Sequence, residues 1–205
     1  MNTITLRGVL RNIRPSHTIK DIEFSKAEML VKRADGKEDV LNVRFKKFSN
    51  PYTDGQEAEF TGNIRSYSQQ VGDRNKVEIY VFTYFDKPEN ETEDELEKNN
   101  IFHVSGRICK TDGIRKTANG KVNVHFILAN NLIVGDNKQK LNSYLPCIAW
   151  GKFAKEIGKL NVNDEIEIRG ELHSREYKKT LENGEIEVRI AHELLVTEII
   201  SYNEL

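Results

Sequence analysis

The chain has 205 residues with a formal net charge of −1, 38% hydrophobic and 31% charged residues, a composition that describes a globular protein with a modest core and excludes a disordered chain. Its apolar runs fall well short of the roughly 18 residues of a membrane span. Met1-Asn2-Thr3 opens a strand-like pattern instead of a signal peptide, so a cytoplasmic protein without membrane contact is expected.

Ile4 to Leu10 alternates apolar and polar residues around Gly8, a strand with room for a bend or bulge. Asp21 to Arg33 reads as a second strand, Asp35-Gly36 as a hairpin turn and Val40 to Phe48 as a third strand. Asn50-Pro51 and Asp54-Gly55 break the chain, and Ala58 to Ile64 and Val77 to Phe85 supply two further strands around Gly72-Asp73. Residues 89–98 hold one basic and six acidic side chains and read as a solvated acidic linker. An acidic run can also imitate nucleic acid or dock on a basic partner, but plain solvation is the commoner role.

The second half repeats the first. Ile101 to Ile108 matches Thr3 to Leu10 with Gly106 over Gly8, and Val122 to Leu128 follows an Asn119-Gly120 turn. Tyr144 to Phe153 corresponds to the third strand, with Gly151-Lys152-Phe153 over Lys46-Lys47-Phe48. Glu165 to Leu172 lies over Glu57 to Ile64, and Glu187 to Ile190 over Glu78 to Val81. An in-order repeat of this kind predicts an all-β protein of two five-stranded modules, over residues 1–88 and 99–205. Phe153 to Leu160 has apolar residues at helical spacing between the third and fourth strands of the second module. A helix there is characteristic of the OB-fold, a five-stranded Greek-key barrel, so two tandem OB-folds are expected, the first having lost the helix.

Within Tyr144 to Phe153 the alternation of a strand puts Tyr144, Ile148 and Trp150 on one face and Leu145, Cys147 and Ala149 on the other. If the second face packs on the core, the first is an aromatic surface of the kind on which unpaired bases stack. Burial of those rings under another element or subunit is an equally ordinary role. Cys109 and Cys147 lack metal-site spacing and read as small core residues, not as a disulfide. The five histidines are scattered, with no metal-ligand pattern, nucleophile elbow or phosphate loop, so no enzyme activity, metal or cofactor is expected. His103 and His125 fall on outward strand positions beside the aromatic face.

Val104-Ser105-Gly106-Arg107-Ile108, Arg115 to Gly120, Phe126 to Ala129, Ala149-Trp150-Gly151-Lys152-Phe153-Ala154, Ile168 to Leu172 and Arg175-Glu176-Tyr177 occur in the order found in the bacterial and phage single-stranded DNA-binding protein family. Residues 99–205 resemble that family. The resemblance implies binding of single-stranded DNA with little sequence specificity, protecting it during replication, recombination or repair. It places stacking rings at Tyr144, Trp150 and Tyr177, while a fourth family position falls near the non-aromatic Val134. Arg115 and Lys121 around the Asn119-Gly120 turn, Lys152 beside Trp150, and Arg175 and Lys178 beside Tyr177 are then the phosphate contacts.

The family often presents four OB-folds per assembly, which implies a homodimer of this two-fold chain, with replication or recombination proteins as further partners. In the first module the repeat sets Phe45 in place of Trp150, Asp39 of Tyr144 and Gln69 of Tyr177. Arg44, Lys46, Lys47, Arg65 and Tyr67 remain there as a basic and aromatic surface, either of a weaker binder, the reading preferred here, or of a module that mainly serves assembly. Many family members end in an acidic tip that recruits partners; Ile200 to Leu205 follows the last strand directly, so recruitment by such a tail is not expected. The alternative function is an OB-fold interaction or scaffold subunit of a replication or restart assembly.

Overall fold

A computed structural model describes residues 1–47, 51–71, 74–85, 99–134, 139–180 and 184–203. The proposed acidic linker, 89–98, lies outside the described residues. Ten strands form one sheet: β1 (Asn2–Ile19), β2 (Ile22–Lys32), β3 (Glu38–Lys46), β4 (Glu57–Val71), β5 (Arg74–Phe85), β6 (Ile101–Lys116), β7 (Val122–Val134), β8 (Gln139–Trp150), β9 (Glu165–Thr180) and β10 (Ile186–Asn203). The first five close into a barrel through the β1–β2 pairing and the last five through β6–β9, each with one parallel pair, β3–β5 and β8–β10. Helix α1 (Gly151–Ile157) stands between β8 and β9 and buries Ala154 and Ile157 against the second core, so the expected tandem OB-folds and their one helix are both present.

The repeated glycines sit where coiled strands cross at close range. A Cβ on Gly8 would lie 2.2 Å from the Leu30 carbonyl oxygen, and one on its counterpart Gly106 would lie 2.5 Å from that of Ala129. Gly62 and Gly170 are the corresponding pair on the fourth strands, 2.3 Å from Phe82 O and 1.8 Å from Leu195 O. Any side chain at these four points would push two strands of the barrel apart.

The barrels join through antiparallel pairing of β1 with β6, in which Asn2, Thr3, Ile4 and Thr5 face Val104, His103, Phe102 and Ile101. Because Ile4 and Phe102 are equivalent in the repeat, the pairing places a pseudo-two-fold axis between them, as in an isologous dimer. The same symmetry governs two buried asparagines. Asn2 donates to Ile64 O at 2.8 Å and accepts from Ile64 N–H at 2.8 Å; Asn100 does the same with Leu172, at 2.9 and 3.0 Å.

On either side of the axis a serine on one barrel grips the third strand of the other. Ser66 Oγ accepts the Tyr144 N–H at 2.7 Å, and Ser174 Oγ accepts the Val40 N–H at 2.9 Å. The second contact is reinforced by charge. Fully buried Asp39 accepts from Arg33 Nε at 2.6 Å, from Arg33 Nη2 and from Ser174 N–H, while Arg33 Nη2 also donates to Ser174 O at 2.9 Å. Burial alone would raise the Asp39 carboxyl, but the Arg33 guanidinium and the Ser174 N–H outweigh it and hold the group below the ordinary carboxylate value. His192 Nε2–H donates to Val40 O at 2.8 Å in the same junction, and burial pushes its pKa down.

A pH dependence follows. Unfolded histidine takes up a proton near 6.5, whereas His192, and likewise His17 held down by burial and by Arg44 and Arg65, protonates only at lower pH when folded. Stability is therefore full above that value and falls as the medium is acidified through it, flattening once the folded rings are charged. The depressed Asp39 adds a second loss below about pH 4. Urea midpoints measured between about pH 8 and pH 5 should drop on acidification, and the His17→Gln, His192→Gln double variant should lose the upper phase. An upper phase unchanged in that variant would assign it elsewhere.

Candidate nucleic-acid interface

The β8 alternation is realised on its inner side: Leu145, Cys147 and Ala149 are buried, while Tyr144 and Trp150 are 54% and 37% exposed. Ile148, expected beside the rings on the surface, is instead buried. Trp150 ends the strand in an extended conformation immediately before α1. The two rings are six residue steps apart along the strand, roughly 20 Å at ~3.3 Å per step.

Registers across β6, β7 and β8 show what flanks them. Arg115 faces Asn123, which faces Trp150; Ile127 faces Pro146; Arg107 faces Ala129, which faces Tyr144. Directly opposed residues share a face of the sheet. The outer surface thus carries its aromatic and apolar groups along β8 and cations along β6. Asp112 sits between two of those cations, 3.2 Å from Arg115 and 3.9 Å from Lys110. Lys121 is exposed beside the Asn119-Gly120 turn, where Gly120 adopts φ 75° and Thr117 Oγ1 accepts the Lys121 N–H. Lys152 Nζ lies 4.8 Å from the centroid of the Phe153 ring.

Tyr177 rides on the arm formed by β9 and β10. It is 37% exposed, with the Arg175 guanidinium 5.9 Å from its ring centroid and Arg189 as its partner across the ladder. Arg175 Nε also approaches Glu193 at 3.4 Å, and Lys178 is exposed opposite Val188. A cavity of about 340 Å³ brings Tyr177 and Arg175 against Lys110, His125 and Pro146 of the β6–β8 surface. The arm therefore overhangs the platform's middle, and the structure gathers the eight expected residues into two groups: Tyr144, Trp150, Arg115, Lys121 and Lys152 on the platform and its rim, and Tyr177, Arg175 and Lys178 on the arm.

Three expectations change. His103, placed by sequence beside the aromatic face, instead meets Glu167 at 2.5 Å on the β6–β9 surface. Cys109, expected in the core, is exposed, whereas Cys147 is buried and its thiol is pushed well up by burial; both are free. The repeat is also shifted by one residue on the third strand. Buried Leu41, Val43 and Phe45 of β3 correspond to buried Leu145, Cys147 and Ala149 of β8, so Val40 stands where Tyr144 does and Lys46 where Trp150 does. The matched serine contacts to Val40 and Tyr144 show the same correspondence. Aligning Phe45 with Trp150 set an inward residue over an outward one, which the period of two forbids.

Of the basic and aromatic surface expected on the first barrel, sequence reading named Arg44, Arg65 and Tyr67 but missed the rings they meet, Tyr80 and Phe82, and the neighbouring Phe24 and His17. Arg44 lies 3.9 Å from the Tyr80 ring centroid and 5.8 Å from that of Tyr67, and Arg65 lies 3.8 Å from that of Phe82. Phe24 stacks on His17 at 4.8 Å and tilts against Phe82 at 5.3 Å. The available signal was the outward parity of Arg44, Tyr80 and Phe82 on neighbouring strands. The side chain of Gln69 lies outside the described residues.

A model of the Single-strand binding protein family matches residues 99–200. The second barrel belongs to that family. Membership assigns this single-strand binding barrel its activity in general terms. The wild-type single-stranded DNA binding protein from Thermus aquaticus superposes with a TM-score of 0.68 at 17% identity, covering 97% of this chain and 91% of that one. A deletion mutant of the same protein gives the same score and identity, with 97% and 93% covered. These likenesses establish the fold over both barrels. No curated protein matches the sequence. Among the described residues no helix is long and apolar enough to cross a membrane, and none of the His, Cys, Asp and Glu side chains cluster as metal ligands.

Proposed function

We propose that the single-strand binding barrel holds unpaired DNA along its β6–β7–β8 surface. Bases stack on Tyr144 and Trp150, and Arg115, Lys121 and Lys152 follow the phosphates. Tyr177 takes a further base from the arm, with Arg175 and Lys178 beside it. The observation that carries this reading is the pair of exposed rings on one strand face, flanked by the cations of β6. Every base offers a π-face, so sequence preference is weak, and phosphate neutralisation makes affinity fall with salt. Holding the strand disfavours hairpins and reannealing and shields it from nucleases during replication, recombination or repair. Two chains together present four barrels, and a homodimer is the proposed assembly.

Trp150 is the only tryptophan of the chain, so its emission reports on this site alone. Titration with unlabelled poly(dT) should quench it strongly at low salt and weakly at high salt. Unchanged emission at near-stoichiometric concentrations would overturn the stacking surface and favour the interaction-module alternative.

A further inference from the structure

The two exposed rings of the platform are fixed in different ways. Trp150 is tied within its own barrel, by its register with Asn123 of β7 and by helix α1, which begins at the next residue. Tyr144 lacks that support. Strand β8 pairs with β7 along its length, but on its other edge, among the described residues, β10 meets it only at Cys147 and Ile148. At Tyr144 that edge turns to the first barrel, whose β4 packs against β8.

Ser66 of β4 takes hold of the edge through two hydrogen bonds. Its Oγ accepts the Tyr144 N–H at 2.7 Å, and its own N–H donates to Ser143 Oγ at 3.4 Å. A peptide is planar, so holding the Tyr144 N–H also orients the Ser143 carbonyl and, with it, the direction in which Cβ of Tyr144 leaves the strand. Among the described residues the Tyr144 phenol has no hydrogen-bond partner and its ring no aromatic neighbour, so the backbone sets where the ring points. The same two bonds recur at the symmetry-related contact, where Ser174 Oγ accepts the Val40 N–H and the Ser174 N–H donates to Asp39. There the acceptor is charged and the residue held has no ring. At Ser66 the acceptor is neutral and the residue held is a stacking ring.

We infer that Ser66 of the first barrel is a positioning residue for the Tyr144 ring of the second, holding it in the direction from which a base stacks. The inference rests on the proposed stacking at Tyr144. It gives the first barrel a part in that site that needs no contact of its own with the strand.

The test is a double-mutant cycle on the full chain, with affinity for dT oligomers read by anisotropy of labelled DNA. Ser66→Ala removes the acceptor of the Tyr144 N–H, Ser66→Thr keeps a hydroxyl there, and Tyr144→Ala removes the ring but retains its N–H. Ser66→Ala should weaken binding about three- to tenfold, the worth of one hydrogen bond, and Ser66→Thr should keep most of the affinity. In the Tyr144→Ala background Ser66→Ala should cost less than about twofold, because no ring is left to misplace. Ser174→Ala breaks the matching bond at Val40, thermal melts report how far each serine variant loosens the junction, and the Ser174→Ala loss should simply add to that of Tyr144→Ala. Additive losses for Ser66→Ala and Tyr144→Ala, or equal coupling of Ser174→Ala to Tyr144, would overturn the positioning role and leave a purely structural contact. Wild-type affinity in Tyr144→Ala alone would instead remove the stacking platform on which the inference stands.

Discussion

Replacing Tyr144 and Trp150 together by alanine should weaken binding of dT oligomers by about 2–6 kcal/mol, since each stacked base contributes roughly 1–3 kcal/mol. The loss should appear with the fold intact. Both rings are exposed, and the contact that Tyr144 makes to the first barrel uses its backbone N–H, which alanine retains. Anisotropy of labelled oligomers gives the affinity without the lost tryptophan, and thermal melts with sedimentation give the fold and assembly state. Unaltered affinity together with a change in assembly would show that the rings serve an interface between proteins.

The second large effect is expected at Asp39. This carboxylate is fully buried, bridges Arg33 to the Ser174 backbone, and stands at one of the two symmetric contacts between the barrels. Asp39→Ala leaves Arg33, whose side chain is only 18% exposed, without its anion and strands the Ser174 N–H. Removing one member of a buried pair costs about 3–5 kcal/mol, while replacing both by apolar residues of like volume is often close to neutral. The urea midpoint of Asp39→Ala should therefore fall sharply, and the combined Asp39→Leu, Arg33→Met variant should recover most of it. A drop under about 1 kcal/mol in the single variant would mean that the pair adds nothing to the junction.

Much of the architecture was legible because its signals are local. Alternation along β3, β8 and β9 gave their inner faces, the Asp35-Gly36 and Asn119-Gly120 turns gave hairpins with glycine at φ 82° and 75°, and apolar spacing after Phe153 gave the helix. The recurring glycines marked a repeat, and the structure shows why glycine recurs: a neighbouring carbonyl occupies the space of its missing side chain. Of the site, Tyr144 and Trp150 were readable, since one strand's parity decides which side chains share a face.

The one-residue slip on the third strand shows where such reading fails. Lys46-Lys47-Phe48 resembles Gly151-Lys152-Phe153 as letters, but burial aligns Phe45 with Ala149 and so Lys46 with Trp150. Asp39 consequently looked like a lost stacking position and proved to be the anchor of the junction. The exposed Cys109 and the Glu167-paired His103 were misplaced for a related reason: the surroundings of a strand residue depend on partners far away in sequence.

The sequence by itself determined two OB-folds, their strand faces and the family of the second, because periodicity, turn residues and motif order are properties of short segments. Only the tertiary structure decided how the barrels meet and that the arm brings Tyr177 and Arg175 against Lys110, His125 and Pro146 of the platform. Those features arise from contacts between residues such as Ser174 and Val40, separated by 134 positions, whose geometry no local pattern encodes.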